Sequence, residues 1–101
     1  MSKCEIIAEI GWNHMGDMAL AEQMISEASK SGADYCKFQT WKVKNLKDGP
    51  WKTDGRLEIY NKAELSEQKH ATLVDLCKKH NVKFLTSVFN VGDIEFVSNL
   101  S

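Results

Sequence analysis

The chain has 101 residues, of which 43% are hydrophobic and 27% charged, the make-up of one ordinary globular domain. That excludes disordered, collagenous and low-complexity classes. Thirteen basic side chains against fourteen acidic ones leave a formal charge of −1, so no global pull toward nucleic acid or an anionic membrane is indicated.

No run approaches the ~18 apolar residues of a membrane span. Glu5 and Glu9 interrupt the only N-terminal apolar stretch, which excludes a secretory signal there. The expectation is a cytoplasmic protein. The three cysteines, Cys4, Cys36 and Cys77, form no CxxC pair. Each falls in a predicted strand or helix, so buried, reduced thiols are expected.

Residues 6–10 (IIAEI) are short and β-branched, end at Gly11, and predict a first strand. Asp17 is placed to cap a helix over residues 18–31, with Leu20, Ala21, Met24, Ile25 and Ala28 on one face and Gly32 as its stop. Residues 35–40 (YCKFQT) predict a second strand with two unlike faces, Cys36 and Phe38 on one and Lys37 and Gln39 on the other. A polar stretch over 41–64 follows, holding Trp41, Trp51, Pro50 and two glycines, with a short helical turn near Leu57 to Tyr60. Ser66 caps the next helix, whose apolar side is read as Leu73, Val74, Leu76, Cys77 and His80. Asn81 suits the left-handed position that ends it. Residues 82–88 predict a third strand, and a last helix opens near Gly92 and Asp93, carrying Ile94, Phe96, Val97 and Leu100.

Alternating strand and helix predicts an α/β fold with a parallel sheet and right-handed crossovers. Two architectures fit: a minimal open three-stranded domain, or the first three units of a (β/α)8 barrel, which needs ~250 residues. The helical pattern reaches Ser101 without a stop signal, and that favours the barrel.

Ligands of parallel α/β folds bind at the carboxyl ends of the strands. Glu9, Lys37, Gln39 and Ser87 all fall there. Lys37 and Gln39 share a face that would line a barrel mouth. A lysine in that position either meets an anion or carries its ammonium out to water. Glu9 reads as a pocket carboxylate for hydrogen bonding or acid/base work, as a structural partner of Lys37, or as both. The loop over 11–17 (GWNHMGD) lacks GxGxxG and GK[ST], so nucleotide binding is unsupported. Within it His14 reads as acid, base or ligand, but more simply as a hydrogen-bonding residue, and Asn13 as a loop brace. The 41–64 stretch far exceeds the ~2–6 residues of an ordinary connection in an α/β unit and follows strand 2, so it predicts a lid over the catalytic face or a subunit contact. Its Trp41, Lys42, Lys44, Lys47, Trp51 and Lys52 also fit a basic–aromatic nucleic-acid patch, a reading weakened by Asp48, Asp54 and Glu58.

Residues 6–17 (IIAEIGWNHMGD) resemble the IIAEIGxNHxGD signature of the sialic acid synthase family, and residues 32–40 (GADYCKFQT) resemble its GADxxKFQT segment. Glu64-Leu65-Ser66 and the helix after it are similar to the next family block, and residues 85–90 (LTSVFN) to its LSTPFD segment. The resemblance runs in order along nearly the whole chain. It implies a barrel enzyme with a small C-terminal antifreeze-like domain, of which residues 1–101 are a partial N-terminal barrel; the rest of the barrel and the antifreeze-like domain are absent.

The activity implied is condensation of phosphoenolpyruvate with an N-acetylated amino sugar such as N-acetylmannosamine, giving a nonulosonic acid, with a divalent metal (Mn or Mg) that polarises the sugar aldehyde. By the same resemblance Lys37 contacts the phosphoenolpyruvate carboxylate, Gln39 the amino sugar, Glu9 acts at the sugar end of the pocket, and Ser87 takes the place of a threonine near phosphoenolpyruvate. Val88 and Asn90 depart from the family's proline and aspartate, and Trp12 is larger than usual. The metal ligands are expected outside this chain. Family members are commonly homodimers, and the isolated 101 residues are expected to be inactive. The competing readings are a truncated, non-catalytic α/β module that binds an anion or a partner subunit, and another phosphoenolpyruvate-using or aldol-type barrel.

Overall fold

The computed structural model describes residues 4–100. Three strands, β1 (Ile7–Gly11), β2 (Tyr35–Thr40) and β3 (Lys83–Val88), form one parallel sheet in the order β1-β2-β3. Helix α1 (Met18–Lys30) joins β1 to β2, and α3 (Glu67–Lys79) leads into β3. The α/β fold with three parallel strands is as expected.

Side-chain capping and left-handed stops set the helix boundaries. The Asp17 carboxylate accepts from the Ala19 and Leu20 amides, and the Ser66 hydroxyl accepts from Lys69 N–H. Each satisfies donors that a first helical turn leaves without partners. Both long helices end in a Schellman motif. Ala33 N–H donates to Ala28 C=O past a left-handed Gly32 (φ 93°), and Val82 N–H donates to Cys77 C=O past a left-handed Asn81 (φ 60°).

One side of the sheet carries the core. Ile10, Cys36 and Phe38 pack with Ala21 and Ile25 of α1, Leu73 and Cys77 of α3, and Leu65 and Val82. Phe38 is fully buried and stacks on Phe84 with ring centroids 5.6 Å apart. Cys36 and Cys77 are buried free thiols, and the Cys36 thiol together with burial pushes the Cys77 thiol upward. Cys4 differs from expectation: it lies ahead of β1 and is exposed, because the strand begins only at Ile7.

The 41–64 stretch is more ordered than its polarity suggests. Two 3-10 turns, Val43–Asn45 and Pro50–Lys52, lead into a two-turn helix α2 (Arg56–Ala63), longer than the single turn expected. The indole N–H of Trp41 donates to Tyr60 C=O at 3.1 Å, and Val43 N–H to the Glu64 carboxylate at 2.6 Å. These bonds fold the stretch back over the end of β2. The last helix, α4 (Ile94–Ser98), is a short segment entered through a 3-10 turn at Val91–Asp93. No helix among the described residues is long and apolar enough to cross a membrane.

Candidate functional site

The period-two alternation of β2 divides its side chains. Cys36, Phe38 and Thr40 are buried toward the helices, while Tyr35, Lys37 and Gln39 stand half-buried on the opposite, open face. Register brings further polar groups to that face. Glu9 lies opposite Lys37, and Ser87 lies opposite Gln39. Lys37 Nζ sits 3.8 Å from Glu9 Oε1, with about a third and a half of the two side chains exposed. A pair this open contributes only ~0–1 kcal/mol to stability.

A register shift between Glu9 and Gly11 sets Gly11, not Ile10, beside Phe38. Gly11 is left-handed (φ 61°), and a Cβ there would stand 3.7 Å from the Gln39 amide nitrogen. The irregularity brings the end of β1 close beneath the Gln39 side chain. Asn13, an expected brace, donates its side-chain amide to Ile10 C=O at 2.8 Å and fixes this turn.

His14 is placed elsewhere. It is fully buried on the helix side of the sheet, its ring centroid 6.0 Å from that of Phe38. Its Nδ1 accepts from Gly16 N–H at 2.9 Å, so the proton of the neutral ring sits on Nε2, which has no hydrogen-bond partner among the described residues. Burial, and then the nearby Lys69 ammonium, lowers its pKa. The sheet separates it from Lys37 and Gln39.

A second polar constellation lies at the carboxyl ends of β2 and β3 and was not foreseen. His70 Nδ1 donates to Ser66 C=O at 2.8 Å, which makes Nε2 the acceptor for the Thr40 hydroxyl at 2.8 Å. Thr40 Oγ1 in turn lies 2.8 Å from Thr86 Oγ1. Lys42 Nζ reaches the buried Asp93 carboxylate at 3.5 Å. Thr40, Lys42, Ser66, His70 and Asp93 line a cavity of about 200 Å³ beneath the sheet end. His70 falls at i and i+3, i+4, i+7 with Leu73, Val74 and Cys77, so the helical stripe contained the signal. His80, assigned to that stripe instead, is half-buried and bonds Glu22 at 2.9 Å.

The tryptophans do not form an open basic strip. Trp41 is buried, and Trp12, Trp41 and Trp51 together line a cavity of about 220 Å³ with Gln39, Tyr60 and Phe89. Lys52 pairs with Asp48, and Lys42 with Asp93.

A divalent metal finds no donor set here. Glu9 is the only carboxylate among the strand residues on the open face, and it faces the Lys37 ammonium. No group of three or more His, Cys, Asp or Glu side chains among the described residues could hold an ion. What this face offers is one cation, one carboxylate, one amide and one hydroxyl within two register rows. That set suits a small anion beside a polyhydroxylated group.

Comparison with known proteins identifies the family and the fold. The NeuB family model matches residues 24–101. The chain is 36% identical to an N,N'-diacetyllegionaminic acid synthase of Campylobacter jejuni, over 99% of this chain and 33% of that protein. It is 35% identical to an N-acetylneuraminate-9-phosphate synthase of Drosophila melanogaster, over 95% of this chain and 28% of that protein. Among solved structures, an N-acetylneuraminic acid synthetase from Leptospira borgpetersenii in complex with citrate superposes with a TM-score of 0.81 at 26% identity, covering 99% of this chain and 34% of that one. A spore coat polysaccharide biosynthesis protein from Bacillus subtilis superposes with a TM-score of 0.73 at 27% identity, covering 96% of this chain and 27% of that one. The chain spans about a third of the length of the curated relatives it matches. With the family model covering residues 24–101, the chain belongs to the NeuB family.

Proposed function

We propose that this chain forms the first three βα units of a (β/α)8 barrel that condenses phosphoenolpyruvate with an N-acetylated amino sugar to give a nonulosonic acid. The observation that carries the reading is the row made by Glu9 and Lys37, with Gln39 and Ser87 in the next row, on the open face of the sheet. In a closed barrel that face is the interior, and these residues lie at its catalytic end.

In this reading Lys37 binds the phosphoenolpyruvate carboxylate, which supplies the anion its half-buried ammonium calls for. Ser87 donates to the same substrate. Gln39 offers both a donor and an acceptor to the amino sugar. Glu9 holds the sugar end and keeps the Lys37 ammonium aimed across the strand. A C–C bond forms between the methylene carbon of phosphoenolpyruvate and the sugar aldehyde carbon. Water adds at the enol carbon, the C–O bond to phosphate breaks, and a 2-keto acid and inorganic phosphate leave. We assign metal ligation to residues outside this chain, and no step here is routed through a metal. The cytoplasm and a homodimer complete the proposal, the first supported by the buried free thiols Cys36 and Cys77.

The test is phosphate release from phosphoenolpyruvate and N-acetylmannosamine by the protein as its gene encodes it in full, with Mn²⁺ present. Sugar-dependent phosphate release that Lys37→Ala abolishes is expected. Sugar-independent release, or none with any N-acetylated hexosamine, overturns the reading.

A further inference from the structure

We propose that His70 is a positioning residue: through Thr40 and Thr86 it fixes Gln39 and Ser87 relative to one another, and so holds the two substrates in line for reaction. This rests on the synthase reading above.

The buried relay lies directly behind the open-face row. Thr40 follows Gln39 on β2, and Thr86 precedes Ser87 on β3. Gln39 and Ser87 are register partners. Alternation turns Thr40 and Thr86 to the helix side of the sheet, where their hydroxyl oxygens lie 2.8 Å apart. That bond ties the two strands together at the residues next to Gln39 and Ser87. The pairing of β2 with β3 stops at Thr40 and Val88, and a ladder frays most readily at its end.

The relay runs in one direction. Ser66 C=O accepts from the backbone N–H of His70 at 3.0 Å and from its ring Nδ1–H at 2.8 Å. With the tautomer set in this way, Thr40 spends its one proton on Nε2 at 2.8 Å. Thr40 Oγ1 is left to accept from the Thr86 hydroxyl, whose other acceptor, Ser87 C=O, is farther off at 3.4 Å. Thr40 and His70 are 3% and 2% exposed, so a hydroxyl that rotated away would leave a buried acceptor unsatisfied. Phe96 packs edge-on against the imidazole at 5.1 Å and limits its tilt. Ser66 also caps α3, so the relay is anchored in the first turn of a long helix.

An apolar residue at 70 would continue the stripe of Leu73, Val74 and Cys77 without the cost of burying two polar ring atoms. The imidazole instead joins that helix to the ends of the strands. Its effect on rate follows from alignment, because reacting groups displaced by ~1 Å cost up to ~100-fold.

The experiment uses the full protein as wild type and with His70→Gln, His70→Asn, Thr86→Ser and Thr86→Val. Glutamine carries an acceptor out to the Nε2 position, whereas asparagine is too short to reach Thr40. Serine keeps the hydroxyl that valine removes. The kcat, both KM values and the melting temperature are measured. His70→Asn and Thr86→Val should lose roughly tenfold in kcat with both KM values within about twofold, while His70→Gln and Thr86→Ser stay near wild type. If the His70 variants do not fold, the Thr86 pair decides. Equal kcat within each pair, or a loss that follows melting temperature instead of the bond, overturns the positioning role and leaves the synthase reading standing. A wild type without turnover overturns the synthase reading, and the coupling is then read from the Gln39 side-chain amide signals in NMR, assigned by their loss in Gln39→Glu. Signals that move in Thr86→Val but not in Thr86→Ser uphold His70 and its relay as what fixes Gln39. Signals that stay in place overturn both.

Discussion

Lys37 stands directly across the β1–β2 register from Glu9, with its ammonium 3.8 Å from the carboxylate, while the next residue in the chain, Phe38, is fully buried on the other side of the sheet. Neighbouring residues thus serve separate ends. Lys37→Ala should shift stability by less than ~1 kcal/mol, since the ion pair it removes is half open to water. Phe38→Ala should cost ~3–5 kcal/mol through the cavity it leaves against Phe84. Denaturant melts of the two variants check the contrast. Equal losses would contradict the assignment of the two faces.

Gly16 should be intolerant of any side chain. It is left-handed (φ 80°), and a Cβ would meet Lys62 C=O. The obstacle is backbone at the end of α2, which has little room to withdraw. Gly16→Ala should destabilise by ~2–4 kcal/mol, combining backbone strain with overpacking. Gly32→Ala meets nothing within 4 Å and carries only the left-handed strain at φ 93°. Its loss in the same thermal melt should therefore be the smaller.

Stability should fall as the solution is acidified from neutrality. His14 and His70 both have pKa values lowered from 6.5, chiefly by burial. Around His70, Ser66 C=O, Asp93 and Glu67 oppose that shift, and Lys42 adds to it. The unfolded chain takes up these protons near pH 6.5, the folded chain only at lower pH. Between those points the unfolded state binds more protons, so stability rises with pH and levels off above about 6.5. Chemical denaturation at pH 7 and pH 5 measures the slope. His70→Gln keeps a bonding partner for Thr40 and should flatten the profile.

Asp17 accepts from two amides at the start of α1, at 2.9 Å and 3.2 Å. Asp17→Ala should cost about 1 kcal/mol, and Asp17→Asn less than half of that. Urea midpoints at constant m-value read the difference.

What was legible in the sequence was local. Asp17, Ser66, Gly32 and Asn81 mark helix ends by chemistry that acts within a few residues, and the structure uses all four. The alternation in 35–40 revealed which side of β2 carries Lys37 and Gln39, because a pleated strand leaves no other arrangement. Less was legible where distant segments meet. The side-chain bond from Trp41 to Tyr60 spans nineteen residues and that from Thr40 to His70 spans thirty, and no pattern within one element announces either. His14 sits in a loop beside glycines and looks available, but the loop turns it beneath the sheet against Phe38.

The most direct test of the account is calorimetric titration of phosphoenolpyruvate into the full protein and into Lys37→Ala, each checked for an unchanged melt. The account predicts that the variant loses at least tenfold in affinity, since a charge-assisted bond to a carboxylate is removed. Equal affinity in the two proteins would contradict it, and would leave Lys37 as no more than the partner of Glu9.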